Sequence, residues 1–184
     1  MSDLSSEQIR ALDNHLDLLL RWNKVLNLSA IRDPNEIRER HFSESLFLAS
    51  HIPPGVWSIA DLGSGGGFPG IPVAIARPES HVTLVESHAR KSVFLREVSR
   101  EMRNISVLNQ RVESVNDHYD WIISRGVNLV ELAGWITAHA GGAILLAERP
   151  ELNGFVWQEP IPLPNGENRF LEIGRNVSRE TFVG

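Results

Sequence analysis

Ten residues, Asp61-Leu62-Gly63-Ser64-Gly65-Gly66-Gly67-Phe68-Pro69-Gly70, constrain this chain more than any other stretch. They follow an apolar run read as a strand, Val56 to Leu62, and precede a helical run, Gly70 to Ala76. Glycines at this density let the backbone approach a ligand closely and make turns closed to residues with side chains. Strand, glycine loop and helix in that order is the setting in which open parallel α/β sheets bind nucleotide-type ligands.

The rest of the chain agrees with such a sheet. Further strands are expected at His81 to Glu86, Ile105 to Asn109, Tyr119 to Ser124 and Gly142 to Ala147, alternating with helices at Ala89 to Met102 and Leu129 to His139. In the first of these helices Phe94, Leu95, Val98 and Met102 share one face. Right-handed crossovers make this a mostly parallel, doubly wound α/β core. Before it, Ile9, Leu12, Leu16, Leu19 and Trp22 recur at helical spacing between Ser5 and Val25. Asp33-Pro34 then opens a second helix, expected to run to about His51. Pro53-Pro54-Gly55 breaks the chain, so residues 1–54 read as an N-terminal helical extension and 55–184 as the core. At the other end, Phe155 to Leu163, a turn at Pro164-Asn165-Gly166 and Arg169 to Ile173 read as an antiparallel hairpin closing the sheet edge.

Composition narrows the function. With 184 residues, 42% of them hydrophobic, the chain can bury a proper core. The absence of cysteine removes disulfides, thiol catalysis and thiolate metal sites. No long apolar stretch or secretory leader is evident, so a soluble, cytoplasmic monomer away from membranes is expected. The seven histidines lie scattered, without metal-ligand spacing, and no metal site is expected. A net charge of −5 means that any nucleic-acid site must be a local patch.

Two cofactor patterns compete at the loop. Gly65 to Gly70 satisfies the dinucleotide pattern G-x-G-x-x-G, a weak match on its own. The alternative begins with the strand-end acid Asp61 and continues through Gly63, Gly65 and Gly67; it resembles the first motif of Rossmann-like S-adenosylmethionine (SAM) methyltransferases. We favour the second pattern. Glu86, 21 residues after Gly65, ends the next strand where either cofactor wants a carboxylate for its ribose hydroxyls.

Longer strings are more specific. Trp22-Asn23-Lys24, Asn27-Leu28-Ser29-Ala30-Ile31, Arg40-His41-Phe42-Ser43-Glu44-Ser45-Leu46 and Gly63 to Pro72 closely resemble the RsmG (GidB) family of bacterial 16S rRNA guanine-N7 methyltransferases. So do Glu86-Ser87, Arg90-Lys91, Phe94-Leu95, Arg111-Val112-Glu113 and Ser124-Arg125. The resemblance implies a Rossmann-like SAM-dependent fold and 16S rRNA or the small ribosomal subunit as partner. It implies that Gly63 and Phe68 line the SAM site, that Glu86 holds the ribose, that Val112 and Glu113 flank the adenine, and that Arg125 is the active-site arginine. Asp61, Ser64, Gly65, Gly67 and Arg125 itself complete the expected cofactor set. The chain departs from the family after the fifth strand, where Glu148-Arg149-Pro150 stands in place of a Lys-Gly pair, and at Gly126, where alanine is usual.

Guanine N7 carries a free lone pair, so its methylation needs positioning rather than a general base. Arg125 is expected to orient a phosphate, O6 or the cofactor. Between Arg90 and Arg111, six cations stand against Glu97 and Glu101, a local surplus of 6 − 2 = +4. Arg90, Lys91 and Arg111 are the expected RNA contacts, whereas Arg96, Arg100 and Arg103 read equally well as a solvated helix face. His41 and Trp22 read as structural. Two other functions fit the same residues: a SAM methyltransferase acting on another RNA or a small molecule, and a module that binds SAM and RNA without turnover.

Overall fold

In the computed structural model, which describes residues 4–164, 166 and 168–178, the alternating segments form a mixed sheet in the order β3-β2-β1-β4-β5-β8-β6. Strands β1 (Ser58–Leu62), β2 (His81–Val85), β3 (Ile105–Leu108), β4 (Trp121–Arg125) and β5 (Gly142–Leu146) run parallel. The chain winds outward from β1 to β3 and returns to β4, so the winding reverses between β1 and β4. Ligands bind at the carboxyl ends of the strands beside such a reversal. Ile59, Ala60, Leu62, Ile122 and Ile123 are fully buried, because both faces of these strands are covered and apolar side chains are needed on each.

One face carries α4 (Gly70–Ala76), α5 (Ala89–Val98) and the N-terminal helices. The other carries α6 (Ala133–His139) and the 150s segment through Leu152. In α1 (Ser6–Trp22), Ser5 and Gln8 form a reciprocal capping box, and Leu12, Leu16 and Leu19 enter the same hydrophobic cluster as Ile59 and Ile71. The helical extension and the sheet therefore share one core. Ile9, expected on that apolar stripe, is instead 49% exposed. Gln8 faces α4 in its place, donating from Nε2 to the Ile75 carbonyl at 2.7 Å. Trp22 packs on Phe94, with ring centroids 5.8 Å apart.

The single helix expected from Pro34 to His51 contains a wide turn. It runs as α2 (Pro34–Ile37), a π-helical turn at Arg38–Phe42 and α3 (Ser43–His51). Asp33 caps its start, accepting from the Asn35 and Glu36 amides. A π turn inserts an extra residue and rotates the side chains that follow, and such turns recur at functional sites. Here it carries Arg40 and His41. Two later helices are shorter than expected. A turn replaces the end of the Ala89 to Met102 segment beyond Val98, and α6 starts at Ala133 because the Asn128 side chain accepts from the Val130 amide and holds a turn.

The tail differs most. Strand β8 (Phe170–Asn176) forms the expected antiparallel hairpin with β6 (Phe155–Trp157), and its other side pairs antiparallel with β5, so β8 lies inside the sheet and β6 is the edge. The first arm is split into β6 and β7 (Ile161–Pro162), since Pro160 and Pro162 lack the amides that a continuous ladder needs. Asn165 of the expected turn lies outside the described residues.

Candidate active site

The glycine loop begins where β1 ends. The Gly63 and Ser64 amides donate to the Val85 carbonyl at 2.9 and 3.2 Å, tying the loop to the end of β2. Gly65 and Gly67 lie at φ +52° and +87°, the left-handed region that glycine enters without penalty. Their surroundings differ. A Cβ on Gly67 would lie 2.4 Å from Ile71 Cδ1, whereas one on Gly65 would meet only the Gly63 carbonyl at 3.7 Å. Gly67 is thus demanded by packing, while Gly65 borders open space at the strand ends. Phe68 is buried, stacked on His15 at 4.7 Å and edge-on to Phe42 at 5.0 Å. The His15 ring holds the loop from behind through Nε2 and the Gly66 carbonyl at 2.8 Å, and burial lowers its pKa to about 4.

Two carboxylates frame the loop. Asp61 is fully buried: Oδ2 accepts from the Gly70 amide at 3.1 Å, while Oδ1 has no partner. Burial raises its pKa to about 7, against the opposing pull of the Gly70 amide. Glu86 accepts from the Gly65 amide through Oε2 at 2.9 Å and from the His88 amide through Oε1 at 2.7 Å. Each of these oxygens keeps a further lone pair for a hydroxyl donor. Val112 and Glu113 lie in a 3₁₀ turn, Val112–Ser114, just past β3, with Glu113 exposed. The loop, Asp61, Glu86, Val112 and Glu113 therefore line the carboxyl ends of β1, β2 and β3, beside Arg125 at the end of β4.

Arg125 does not stand alone. Its Nη1 lies 3.2 Å from Glu44 Oε2 and donates to the Arg40 carbonyl at 3.3 Å. Glu44, 1% exposed, also grips Arg169 with both oxygens, at 2.5 and 2.8 Å. Two guanidinium groups share one buried carboxylate, leaving a surplus of one positive charge beside the site. His41 sits next to them, its Nε2 paired with Ser29 Oγ at 2.7 Å. Burial, then Arg125, Arg40 and Arg169, lower its pKa to about 3, so it is neutral at physiological pH. Residue-level reasoning singled out neither Glu44 nor Arg169. Glu44 sat inside a recognised string without a role, and no local signal ties Arg169 to a residue 125 positions earlier.

The expected RNA contacts stand on the first turn of α5, Arg90 and Lys91, and between β3 and the 3₁₀ turn, Arg111. Arg90 and Arg111 are exposed and Lys91 half-buried, and none of them forms an ion pair among the described residues. Arg100 is exposed and pairs with Glu97 from the turn that follows α5, rather than from a helix face. Among the described residues no group of three potential ligands could hold a metal ion, and no helix is long and apolar enough to cross a membrane.

Sheet order and helical layers are those of the Rossmann-like methyltransferase fold. The chain superposes on precorrin-6y C5,15-methyltransferase from Geobacter metallireducens GS-15 with a TM-score of 0.53 and 13% identity, covering 71% of this chain and 86% of that one. Residues 8–148 match the family model for rRNA small subunit methyltransferase G, GidB, and the chain belongs to that family. It is similar to the Ribosomal RNA small subunit methyltransferase G of Pseudomonas paraeruginosa (strain DSM 24068 / PA7), 41% identical over 145 residues and 76% of this chain. The protein of that name from Pseudomonas fluorescens (strain Pf0-1) is 41% identical over 146 residues and 77% of this chain. The chain spans 66% of the length of the first of these relatives and 67% of the second.

Proposed function

We propose that the chain is a SAM-dependent methyltransferase that modifies N7 of a guanine in 16S rRNA, as free RNA or within the small ribosomal subunit. The observation that carries this reading is the convergence of the glycine loop, Asp61, Glu86 and Arg125 on adjacent strand ends, within a chain of the methyltransferase G family. The residues present fit the cofactor. Asp61 Oδ1 is a buried acceptor without a donor, suited to the methionine ammonium, and that cation would draw the carboxyl pKa back down. Gly65 leaves room in front of the loop, Gly63, Ser64, Gly67 and Phe68 give that loop its shape, and Glu86 has lone pairs for the ribose hydroxyls. Val112 and Glu113 are suited to flank the adenine.

SAM, held by Asp61, the glycine loop and Glu86, would supply an electrophilic methyl group on sulfonium, and a guanine N7 lone pair would need no proton removed before accepting it. The chain's task is alignment and exclusion of water. Arg125, held by Glu44 and the Arg40 carbonyl, is pre-organised to fix a phosphate or O6. It would not favour the cationic methylated base, so its role is orientation. His41 and His15 are held neutral and packed into the aromatic cluster behind the loop. Arg90, Lys91 and Arg111 are suited to phosphate contacts at the rim.

Radiolabelled SAM, offered with small subunits and naked 16S rRNA lacking the modification, tests this. Label at one guanine, mapped as N7-methylguanine, is expected; SAM binding without label on either substrate would overturn it. One observation favours a second reading, a SAM methyltransferase for another RNA or a small molecule: Arg169, which reaches Glu44 beside Arg125, lies outside residues 8–148, the part that matches the family.

A further inference from the structure

The segment beyond residue 148 does more than extend the sheet. Because β8 runs antiparallel to β5, the chain just before it returns to the same rim where β4 and β5 end. There Leu146, Glu148, Arg169 and Glu172 are among the residues that line a cavity of about 360 Å³. That volume falls within the range of small-molecule sites, roughly 300–1,000 Å³. Arg125 pairs in register with Leu146, so the cavity adjoins the arginine at the strand ends. Arg169, on the cavity wall, is fixed by the same Glu44 that holds Arg125.

The lining has a particular chemistry. Glu172 Oε2 is buried and accepts no hydrogen bond; it is ion-paired with the half-exposed Arg149 through Nη1 at 3.6 Å, which leaves its lone pairs without a donor. Glu148 places a second carboxylate on the rim, and Arg169 is the cation in the lining. A buried carboxylate oxygen without a donor is costly, and a ligand that brings an N–H removes that cost. Guanine brings two, N1–H and the 2-amino group, on the edge of the ring opposite N7. A guanine whose N7 faces the methyl donor therefore turns this edge away from the cofactor, toward the protein. Adenine offers a bare N1 acceptor at that place and would be repelled.

We propose that this cavity is the acceptor-base subsite and that Glu172 is its specificity-determining residue, reading the N1–H and 2-amino edge of guanine. The assignment rests on the guanine-N7 reading above. It places base selection on a strand outside the family-matched segment, with Arg169 as a positioning residue that ties the subsite to Arg125 through Glu44.

Inosine, which lacks only the 2-amino group, is the discriminating probe. The full chain, Glu172→Gln and Arg149→Gln would each be given a 16S rRNA fragment carrying guanosine or inosine at the labelled position. Binding of 5′-GMP and 5′-IMP, with S-adenosylhomocysteine present, would be measured by calorimetry on the same samples. Unmodified protein should prefer the guanine form at least tenfold in both measurements. In Glu172→Gln that ratio should collapse toward one with affinity for S-adenosylhomocysteine unchanged, and Arg149→Gln should keep it. An unchanged ratio in Glu172→Gln, an equal collapse in both variants, or no GMP binding overturns the subsite. If GMP binding depends on Glu172 but no label is transferred, the subsite stands and the transfer reading falls. Guanine-selective transfer indifferent to Glu172 has the opposite meaning.

Discussion

The two sides of the reversal between β1 and β4 are built by different means. On the β1–β3 side, backbone does the work: a loop bent by glycines, amides donating to the Val85 carbonyl and the Glu86 carboxylate, and two buried acids, all within 26 residues of sequence from Asp61 to Glu86. On the β4–β5–β8 side the work falls to charged side chains brought from far apart, Glu44, Arg125 and Arg169, around a carboxylate with 1% exposure. The first construction is local and depends on shape. The second is long-range and depends on charge balance, so the two sides should fail differently.

Glu44→Ala gives the largest expected effect. Removing the shared carboxylate leaves two partly buried guanidinium groups uncompensated, and breaking a buried pair in this way costs about 3–5 kcal/mol. Urea denaturation should register that loss, together with an altered packing of β8. A loss under about 1 kcal/mol would mean that Arg125 and Arg169 find other partners and that Glu44 does not organise this side.

The local side is tested next by pH. Asp61 has its pKa raised from 3.8 to about 7, so between those values the folded state holds a proton that the unfolded chain releases. Its contribution to stability is therefore present at low pH and lost as pH rises from about 4 to 7, at most on the order of 4 kcal/mol. His15 and His41 act in the opposite sense. Their pKa values are lowered to about 4 and about 3, so below pH 6.5 the unfolded chain gains protons that the folded one refuses. Asp61→Asn should raise stability above pH 7 and unmask the histidines, giving a steeper fall between pH 6.5 and 4 than in the unmodified protein. Parallel curves for the two proteins would mean that Asp61 is not the proton-holding group.

Gly65→Val and Arg125→Ala separate the sides functionally. Valine at φ +52° costs roughly 1–2 kcal/mol in backbone strain, and its side chain enters the space before the loop. SAM affinity should fall about 100-fold, roughly 2.7 kcal/mol, while the fold survives. Arg125→Ala leaves Glu44 with its bidentate Arg169 partner, so stability and SAM affinity should hold while methyl transfer drops about 100-fold. Calorimetry and a transfer assay on both variants check the pair. Loss of SAM binding in Arg125→Ala would erase the distinction between the two sides.

The same contrast explains what could be read from the chain. The five parallel strands and the glycine loop were legible because each is written in a short window: alternating segments, a strand-end acid and a run of glycines. The π turn at Arg38–Phe42 was not, since residues that suit an α-helix suit a π turn as well. The insertion of β8 between β5 and β6 was hidden because a hairpin and an inserted strand share one alternation pattern, and only pairing partners tell them apart. Arg169 had no local signal at all: its meaning comes from Glu44, a contact made by folding. The half of the candidate site that depends on backbone shape can be read from sequence, and the half that depends on distant charges needs the fold.

The smallest expected effect concerns the rim and sharpens the charge argument. Arg111 is exposed, without an ion pair among the described residues, and its action on RNA would be through screened attraction to phosphate. Arg111→Gln should weaken RNA binding a few-fold at low salt, regardless of the target base. It should also lower the slope of log affinity against log salt by roughly 0.7, the value for one phosphate contact on a single strand. Arg125, 15% exposed and already paired in the fold, should contribute to transfer in a way that added salt reduces far less. If the two arginines show the same salt dependence, the buried charges around Glu44 behave as ordinary surface charges, and the difference drawn between the two sides is one of position rather than of physics.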